Sequence, residues 1–496
     1  MKRPAPVRSL IAIPLVVIVL FLAGCVPIAT PPAPAPPAVA VIGAAPSKIA
    51  LGTPSTEAMT TRTAGQSPTV ATWQYLSGAE SFNRDLDARL LGIFDARAGG
   101  RHQPAALSAT PGALLSDGVS VTHEIILATG NVVGSRWVQT TMANGVRTAW
   151  RDQISYQDLS TGAVTDSAAL ISPAMTGTLR TILGDIFRSE TRAPTPGSLP
   201  TGSLPTGPLP DAELLTAVAL TTTGNLSVTI HQDPGTGVAL ASPLTVELSA
   251  QTTDNVISPA GQVLRNAVTA GTPFNAPQRT PDGAAHINCD LVPCVALTYD
   301  DGPNAQTTRL LTILDKHKVY ATFFQQGGYV RANPAVAHSV AAAGHSIANH
   351  TMSHPYLTKL PASGIEREVQ GAQAAIEKAT GVVPVFLRPP YGATNTTVAA
   401  SVGLPQVTWD VDSLDWQSRN KAVFIPRIMG LVKPGSIILQ HDVHASTVDG
   451  QAELITQLKG RGYCLVTLPQ LFAGIDLMPG ATYKCRGAAG GCVPGR

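Results

Sequence analysis

The sequence predicts an α/β fold for its C-terminal two-fifths, a barrel of parallel strands, preceded by an α+β domain. Three observations carry this expectation. Between 285 and 478, short apolar runs alternate with segments of helical period, as a parallel sheet with crossover helices requires. Several of those runs end directly in clusters of polar residues, the position where α/β barrels keep their chemistry. Between 71 and 275, strand-like runs dominate and the alternation is missing.

In chain order, the first residues have the pattern of an export signal. Lys2, Arg3 and Arg8 form a positive start, and Ser9 to Leu22 is an apolar stretch too short to span a bilayer comfortably. It ends in Leu22-Ala23-Gly24-Cys25, which resembles the bacterial lipobox. That resemblance implies cleavage after residue 24, lipidation of Cys25, and a chain anchored by lipid to the outer face of a cell membrane. Residues 25–70 are rich in Pro, Ala and Thr and read as a semi-extended spacer.

From about Trp73 the composition becomes globular. Ala79 to Ala98 has helical spacing, with Phe82, Leu86, Leu90 and Phe94 on one stripe. Strands are expected at Val119–Val121, Ile125–Leu127, Arg136–Met142, Leu226–Ile230 and Leu244–Leu248, with Asn144-Gly145 as a hairpin turn and a helix over Asn255–Val268. A near-repeat of Gly, Ser, Leu, Pro and Thr at 193–210 interrupts the domain as a low-complexity loop. His102, His123 and His231 are isolated and read as surface or structural residues. The element order faintly resembles the extracytoplasmic domain of lysozyme-sensing anti-sigma factors, which implies a glycan or wall-hydrolase contact for this domain.

The C-terminal domain opens with Cys294-Val295-Ala296-Leu297, a buried strand running into Thr298-Tyr299-Asp300-Asp301-Gly302-Pro303, where Gly302 and Pro303 turn the chain. Further strands are expected at Val319–Phe324, His345–Asn349, Val383–Leu387, Gln406–Val411, Ser436–Leu439 and Tyr463–Thr467. Helices are expected at Pro334–Ala343, Ile365–Thr380 and Ala452–Leu458. Residues 479–496 read as a tail.

Four more polar motifs follow strands. His350 and His354, at i and i+4, share one face if their segment is a helical turn, a spacing that suits two ligands of one divalent ion. With an Asp from another strand end they form a two-His, one-carboxylate set that leaves positions open for water and substrate. Arg388-Pro389-Pro390-Tyr391-Gly392 is a loop stiffened by two prolines. Asp412-Ser413-Leu414-Asp415-Trp416 and Ile437-Ile438-Leu439-Gln440-His441-Asp442 complete the set.

These five motifs, in this order, resemble the polysaccharide deacetylases of carbohydrate esterase family 4, the NodB homology domain, over about 290–475. The resemblance implies a distorted (β/α) barrel and metal-dependent removal of N- or O-acetyl groups from sugars. It implies Asp301, His350 and His354 as metal ligands, Asp300 as catalytic base and His441 as catalytic acid. Arg388 would orient the base and Asp415 tune the acid, with Asp412 a competitor for that role. The Tyr391 backbone N–H would face the oxyanion, and Trp416 and Leu439 would wall the acetyl-methyl pocket. Tyr299 departs from the family's commoner Phe. The ion expected is zinc, with cobalt, manganese or nickel as alternatives.

Amide chemistry fits these roles: a Lewis acid activates water, a base takes its proton, and the amine leaves only when protonated. The expected substrate is an acetylated polysaccharide, peptidoglycan N-acetylglucosamine first. An O-acetyl esterase of xylan or a chitin oligosaccharide deacetylase is the alternative within the family. Outside enzymes, the alternative is a non-catalytic wall-binding or lysozyme-sensing lipoprotein. A net charge of +2 without any basic block gives no sign of a nucleic-acid partner. Of six cysteines, Cys25 goes to lipid, so the remaining five form at most two disulfides. Cys289 with Cys294 is one candidate pair, and Cys485 with Cys492 or with Cys464 is the other.

Overall fold

The computed structural model describes residues 56–107, 116–191, 210–278 and 281–487, save 66, 233 and 235–238, together with Ala40–Ile42, Ile49–Ala50 and Cys492. The expected signal peptide, Cys25 and all but the last residue of 193–210 lie outside the described residues. Among the described residues no helix is long and apolar enough to cross a membrane.

The N-terminal part is a mixed sheet of β1 (Thr56–Arg62), β2 (Thr69–Leu76), β3 (Gly118–Thr129), β4 (Val132–Ala143), β5 (Val146–Asp158) and β6 (Val164–Asp166), hydrogen-bonded in that order. β1 lies inside the stretch expected to be spacer. No proline occurs between Pro54 and Pro68, so this piece keeps every backbone donor and pairs antiparallel with β2. Asn144 and Gly145 both have positive φ, 52° and 73°, in the expected hairpin between β4 and β5.

Helix α1 (Glu80–Ala98) buries Phe82, Leu86, Leu90 and Phe94, the stripe its spacing announced. A second, antiparallel sheet joins Ala40–Ile42, β9 (Ala239–Leu248), β8 (Leu226–Gln232) and β7 (Val218–Leu220). The helix expected over Asn255–Val268 is two helices, α2 (Ala250–Val256) and α3 (Pro259–Thr269). Pro259 holds Ser258 extended, and the Ser258 hydroxyl caps α3 by accepting from the Gly261 N–H. His102, His123 and His231 are all buried. Burial lowers the pKa of His123 to about 3, so it is a neutral core residue, and His231 lies 3.1 Å from Asp152.

The C-terminal part is a parallel sheet in the order β12, β11, β10, β15, β14, with β16 (Cys464–Val466) beside the start of β10. Here β10 is Cys294–Asp300, β11 Thr322–Gln325, β12 Ser346–Asn349, β13 Gln406–Val407, β14 Val411–Asp412 and β15 Ile437–His441. The connecting helices include α4 (Ala305–His317), α5 (Pro334–Ala342), α6 (Ala362–Thr380), α7 (Lys421–Leu431) and α8 (Ala445–Gly460).

Among the described residues the strands of the expected distorted barrel form an open parallel sheet, without a closed hydrogen-bonded ring. Two interruptions account for this. Over Val383–Leu387 only Leu387 bridges its neighbours, Asn349 and Gln406. Pro384 lacks a ladder donor, and Val383 and Val385 face solvent. The run expected from Gln406 to Val411 breaks between β13 and β14, where the Val407 and Thr408 carbonyls accept from the buried Arg388 guanidinium instead of a strand.

Alternation along these strands separates two cores. Val295, Leu297, Tyr299, Phe323, Ile347 and Ile438 pack outward on Leu310, Ile376, Phe424 and Leu454 of the helices. Ala296, Phe324, Ala348, Val407 and Ile437 share the other core with Trp73, Leu90, Phe94 and Trp137. The N-terminal sheet and α1 thus contribute to the core beneath the parallel strands. Truncating a residue as buried as Phe94 costs about 3–5 kcal/mol. The Tyr299 hydroxyl donates to Gln451 Oε1 at 2.7 Å in the outer wall, so that departure from the family pattern leaves the site untouched. Disulfides join Cys289 to Cys294 and Cys485 to Cys492, and Cys464 lies outside both.

Candidate active site

β10 ends on Asp300, which is buried. Asp301 then takes a left-handed backbone, φ 75°, which turns its carboxylate away from the strand direction. A Cβ on Gly302 would stand 2.5 Å from Asp442 Oδ2, so the close approach of this turn to Asp442 needs glycine.

β12 ends on Asn349, whose amide Nδ2 donates to Val369 O and Gln373 Oε1 and whose Oδ1 accepts from Thr351 N at 2.8 Å. Glu368 accepts from the Met352 and Ser353 N–H groups and the Ser353 hydroxyl. The segment 350–354 is therefore a pinned loop, not the helical turn its spacing suggested, with positive φ at Thr351 and His354. The loop still brings both imidazoles together: His350 Nε2 lies 3.5 Å and His354 Nε2 3.4 Å from Asp301 Oδ1.

These three ligand atoms would fit one ion, lying within 4.8 Å of one another. The donor chemistry also fits. His350 Nδ1 lies 2.8 Å from the Arg388 carbonyl, which can only accept, so Nδ1 carries the proton and Nε2 offers its lone pair. Burial works against charge on Asp301, but the imidazole of His350, with His441 and His354, holds its carboxyl well below the usual range. Burial and the charge of His350 lower His354. One carboxylate oxygen with two imidazole nitrogens is a donor set that suits a divalent cation.

Arg388 is fully buried. Its guanidinium donates to Asp300 Oδ1 at 2.7 Å, Thr298 Oγ1 at 2.9 Å, Val407 O at 2.9 Å and Thr408 O at 3.0 Å, and it lies 4.0 Å from the Phe324 ring centroid. Burial lowers its pKa while Asp300 pulls it back up. Asp300 is thereby fixed in one orientation with its second oxygen 3.8 Å from His350 Nε2.

On the neighbouring strand, His441 Nδ1 lies 2.9 Å from Asp415 Oδ1. Asp415 is itself saturated: it accepts from the His441 N–H, the Thr447 hydroxyl at 2.6 Å and the Ser413 hydroxyl at 2.9 Å. Burial opposes charge on His441, but the hydrogen bond and charge of Asp415, with Asp300 and Asp301 beyond, raise its pKa to about 9. Asp412 instead caps the Leu414 N–H, so it does not compete with Asp415.

Tyr391 has a left-handed backbone, φ 62°, and a half-exposed ring 4.7 Å from the His354 ring. Trp416 follows Asp415 and is exposed, while Leu439, two residues before His441 on β15, is buried. Sequence reasoning missed Gln326, whose Nε2 donates to Asp301 Oδ1 at 2.9 Å, and Thr447 and Ser413 on Asp415. Only Ser413 had a signal, its place between two aspartates. It also missed Asp442, whose carboxyl burial raises to about 7 and whose Oδ2 accepts from the Thr307 hydroxyl.

The sequence profile of the family described as polysaccharide deacetylase matches residues 288–407. Over 194 residues the chain is 36% identical to the chitooligosaccharide deacetylase of Rhizobium leguminosarum bv. trifolii, covering 36% of this chain and 90% of that protein. The chain belongs to the polysaccharide deacetylase family. It is 37% identical over 190 residues to the peptidoglycan-N-acetylglucosamine deacetylase of Listeria monocytogenes, 38% of this chain and 41% of that protein. It is 39% identical over 178 residues to the peptidoglycan-N-acetylmuramic acid deacetylase of Bacillus subtilis, 36% of this chain and 38% of that one. The chain thus aligns with about two-fifths of the length of these two relatives. The profile match contains Asp300, Asp301, His350, His354, Arg388 and Tyr391, and Asp415 and His441 lie past its end.

Proposed function

We propose that this chain is a deacetylase that removes N-acetyl groups from a cell-wall polysaccharide, the N-acetylglucosamine of peptidoglycan, with a zinc ion on Asp301, His350 and His354. The observation that carries the reading is the opposed pair beside that triad. Asp300 is held by Arg388 at 2.7 Å and His441 by Asp415 at 2.9 Å.

When bound, the ion supplies a Lewis acid that acidifies water and polarises a carbonyl. The chain's own residues do the rest. Asp300, held in place by the Arg388 guanidinium, takes a proton from the attacking water. His441, kept as an imidazolium by Asp415, gives a proton to the departing amine, without which an amine leaves poorly. Arg388 and Asp415 fix the two groups in place, and the left-handed backbone at Tyr391 would turn an N–H toward the developing oxyanion. Trp416 and Leu439 would border the acetyl methyl.

Peptidoglycan is favoured over other acetylated polymers by the relatives named for it and by the lipobox-like Leu22 to Cys25. Lipid on Cys25 would hold the enzyme at the outer face of the membrane, against the inner wall.

Acetate release from peptidoglycan, chitin oligomers and acetyl-xylan, measured side by side, tests the reading. Chelator-sensitive release that is fastest from peptidoglycan supports it. Release from acetyl-xylan alone would overturn the amide substrate, and release in a metal-free sample would overturn the metal assignment.

A further inference from the structure

Thr447 stands in the first turn of α8 and is fully buried. Its hydroxyl donates to Asp415 Oδ2 at 2.6 Å. The other donors to that carboxylate are its chain neighbour and the imidazole residue it holds. Ser413 lies two residues before Asp415, and its hydroxyl both donates to Oδ1 at 2.9 Å and accepts from the Asp415 N–H. His441 supplies its backbone N–H to Oδ2 and its ring Nδ1 to Oδ1. Thr447 thus ties the carboxylate to a separate element of the fold. That element is firmly seated, with Val448, Leu454, Ile455 and Leu458 of α8 all fully buried. Gln451, one turn on, donates from Nε2 to the Thr447 carbonyl at 2.9 Å.

A carboxylate turns about its Cβ–Cγ bond, and His441 uses Oδ1 for its ring and Oδ2 for its backbone at the same time. Without the Thr447 hydroxyl, Oδ2 would keep the His441 N–H alone, and a fully buried charge would lose one of the donors that favour it. The plain alternative is that the hydroxyl only satisfies itself in the interior. A helical threonine ordinarily does so on a carbonyl of the preceding turn, as Thr456 of the same helix does on Ala452 at 2.7 Å. Thr447 donates instead to a charged group on another element.

We propose that Thr447 is a positioning residue for the catalytic acid, holding the Asp415 carboxylate in the orientation that presents Oδ1 to the His441 ring. The proposal rests on the deacetylase reading with His441 as the acid.

The test measures kcat and KM of the metal-loaded full chain on two substrates. One is an N-acetylglucosamine oligomer, whose amine must be protonated to leave, and the other is 4-nitrophenyl acetate, whose phenolate leaves unaided. Thr447→Val should lower kcat on the amide about tenfold, the scale of one hydrogen bond to a charged group, with KM unchanged. On the ester the loss should stay under about twofold, since no proton is needed there. Thr447→Ser, which keeps the hydroxyl, should recover most of the amide loss. Tyr299→Phe takes a hydroxyl from the same wall but none from Asp415, and should spare the amide kcat to within about twofold. Bound metal should match the wild type throughout. Thr447→Ala repeats the comparison should a methyl not be tolerated beside the carboxylate. Equal losses on amide and ester in both Thr447→Val and Thr447→Ala, or a Thr447→Ser no better than Thr447→Val, would show a packing role and overturn the proposal. A wild type that releases no acetate from the oligomer overturns the deacetylase reading itself. An active wild type whose Thr447→Val and Thr447→Ala variants keep the amide kcat overturns the positioning role alone.

Discussion

Asp300 and His441 are direct register partners on adjacent parallel strands, β10 and β15. Neighbouring strands lie about 4.8 Å apart and partners share a sheet face, so the two side chains emerge side by side at one sheet end. Each carries its own rigid support, Arg388 for the carboxylate and Asp415 for the imidazole. The base and acid roles proposed for them therefore draw on the sheet register as much as on the residue types.

Asp300→Asn should keep the metal and lose on the order of 10²- to 10⁴-fold in kcat, the usual worth of a positioned general base. His441→Ala should lose a comparable factor on an N-acetyl sugar but less on an activated acetyl ester, whose leaving group needs no proton. Steady-state kinetics on both substrates check this. Equal losses for His441→Ala on the two would remove it as the acid.

Metal content should depend on three residues directly and on one indirectly. Asp301→Ala, His350→Ala and His354→Ala should each abolish stoichiometric metal in elemental analysis. Gln326→Leu removes the amide that holds Asp301 Oδ1, and such supporting contacts typically cost about 10–100-fold in metal affinity. Competition with a chelator reads both effects. Unchanged affinity in Gln326→Leu would mean the carboxylate needs no help from that amide.

Much of this site was legible because strands of a parallel sheet are continuous apolar runs, and chemistry begins where they stop. Asp300, Asp301, His350, Arg388 and His441 all stand at such ends. The supports were not legible. Thr447 and Gln326 are ordinary polar residues that reach the site only through tertiary packing, and nothing local marks them. The turn at 350–354 misled for a related reason: an i, i+4 histidine pair suggests a helix, but Asn349 and Glu368 capture the backbone N–H groups that a helical turn would use. The sheet is interrupted where Arg388, buried whole, donates to the Val407 and Thr408 carbonyls. A buried arginine's demand for acceptors overrode the local β pattern of Gln406 to Val411.

Arg388 should matter to stability as well as to turnover. It is fully buried with four acceptors, and breaking a buried ion pair by removing one partner costs about 3–5 kcal/mol. Arg388→Met should lower the denaturant midpoint accordingly and leave Asp300 poorly oriented. Arg388→Lys should recover little, since an ammonium cannot reach acceptors spread around a planar guanidinium. Chemical denaturation of the metal-free proteins separates this effect from ligand binding. A midpoint within experimental error of the wild type would contradict the structural role.

The pH profile should be set on its alkaline side by His441. Its folded pKa is raised to about 9, above about 6.5 for an unperturbed imidazole. Activity needs the protonated form, so kcat/KM should fall as pH rises toward that value. With a cation on Asp301, the contributions of Asp300 and Asp301 shrink, which puts the limb at or below about 9. Asp415→Asn removes the largest favourable contribution, so the limb should move down toward 6.5 and the variant should be most impaired under alkaline conditions. The same shift is a stability statement with a definite sign. A raised folded pKa means the His441–Asp415 pair stabilises the fold fully below about pH 6.5, and that contribution is lost as pH rises through the folded value. The stability of the wild type against denaturant should therefore fall between neutral pH and pH 9 by an amount that Asp415→Asn no longer shows. NMR titration of the His441 imidazole reads the pKa directly. A value near 6.5 in the wild type would mean that Asp415 orients the acid without tuning it.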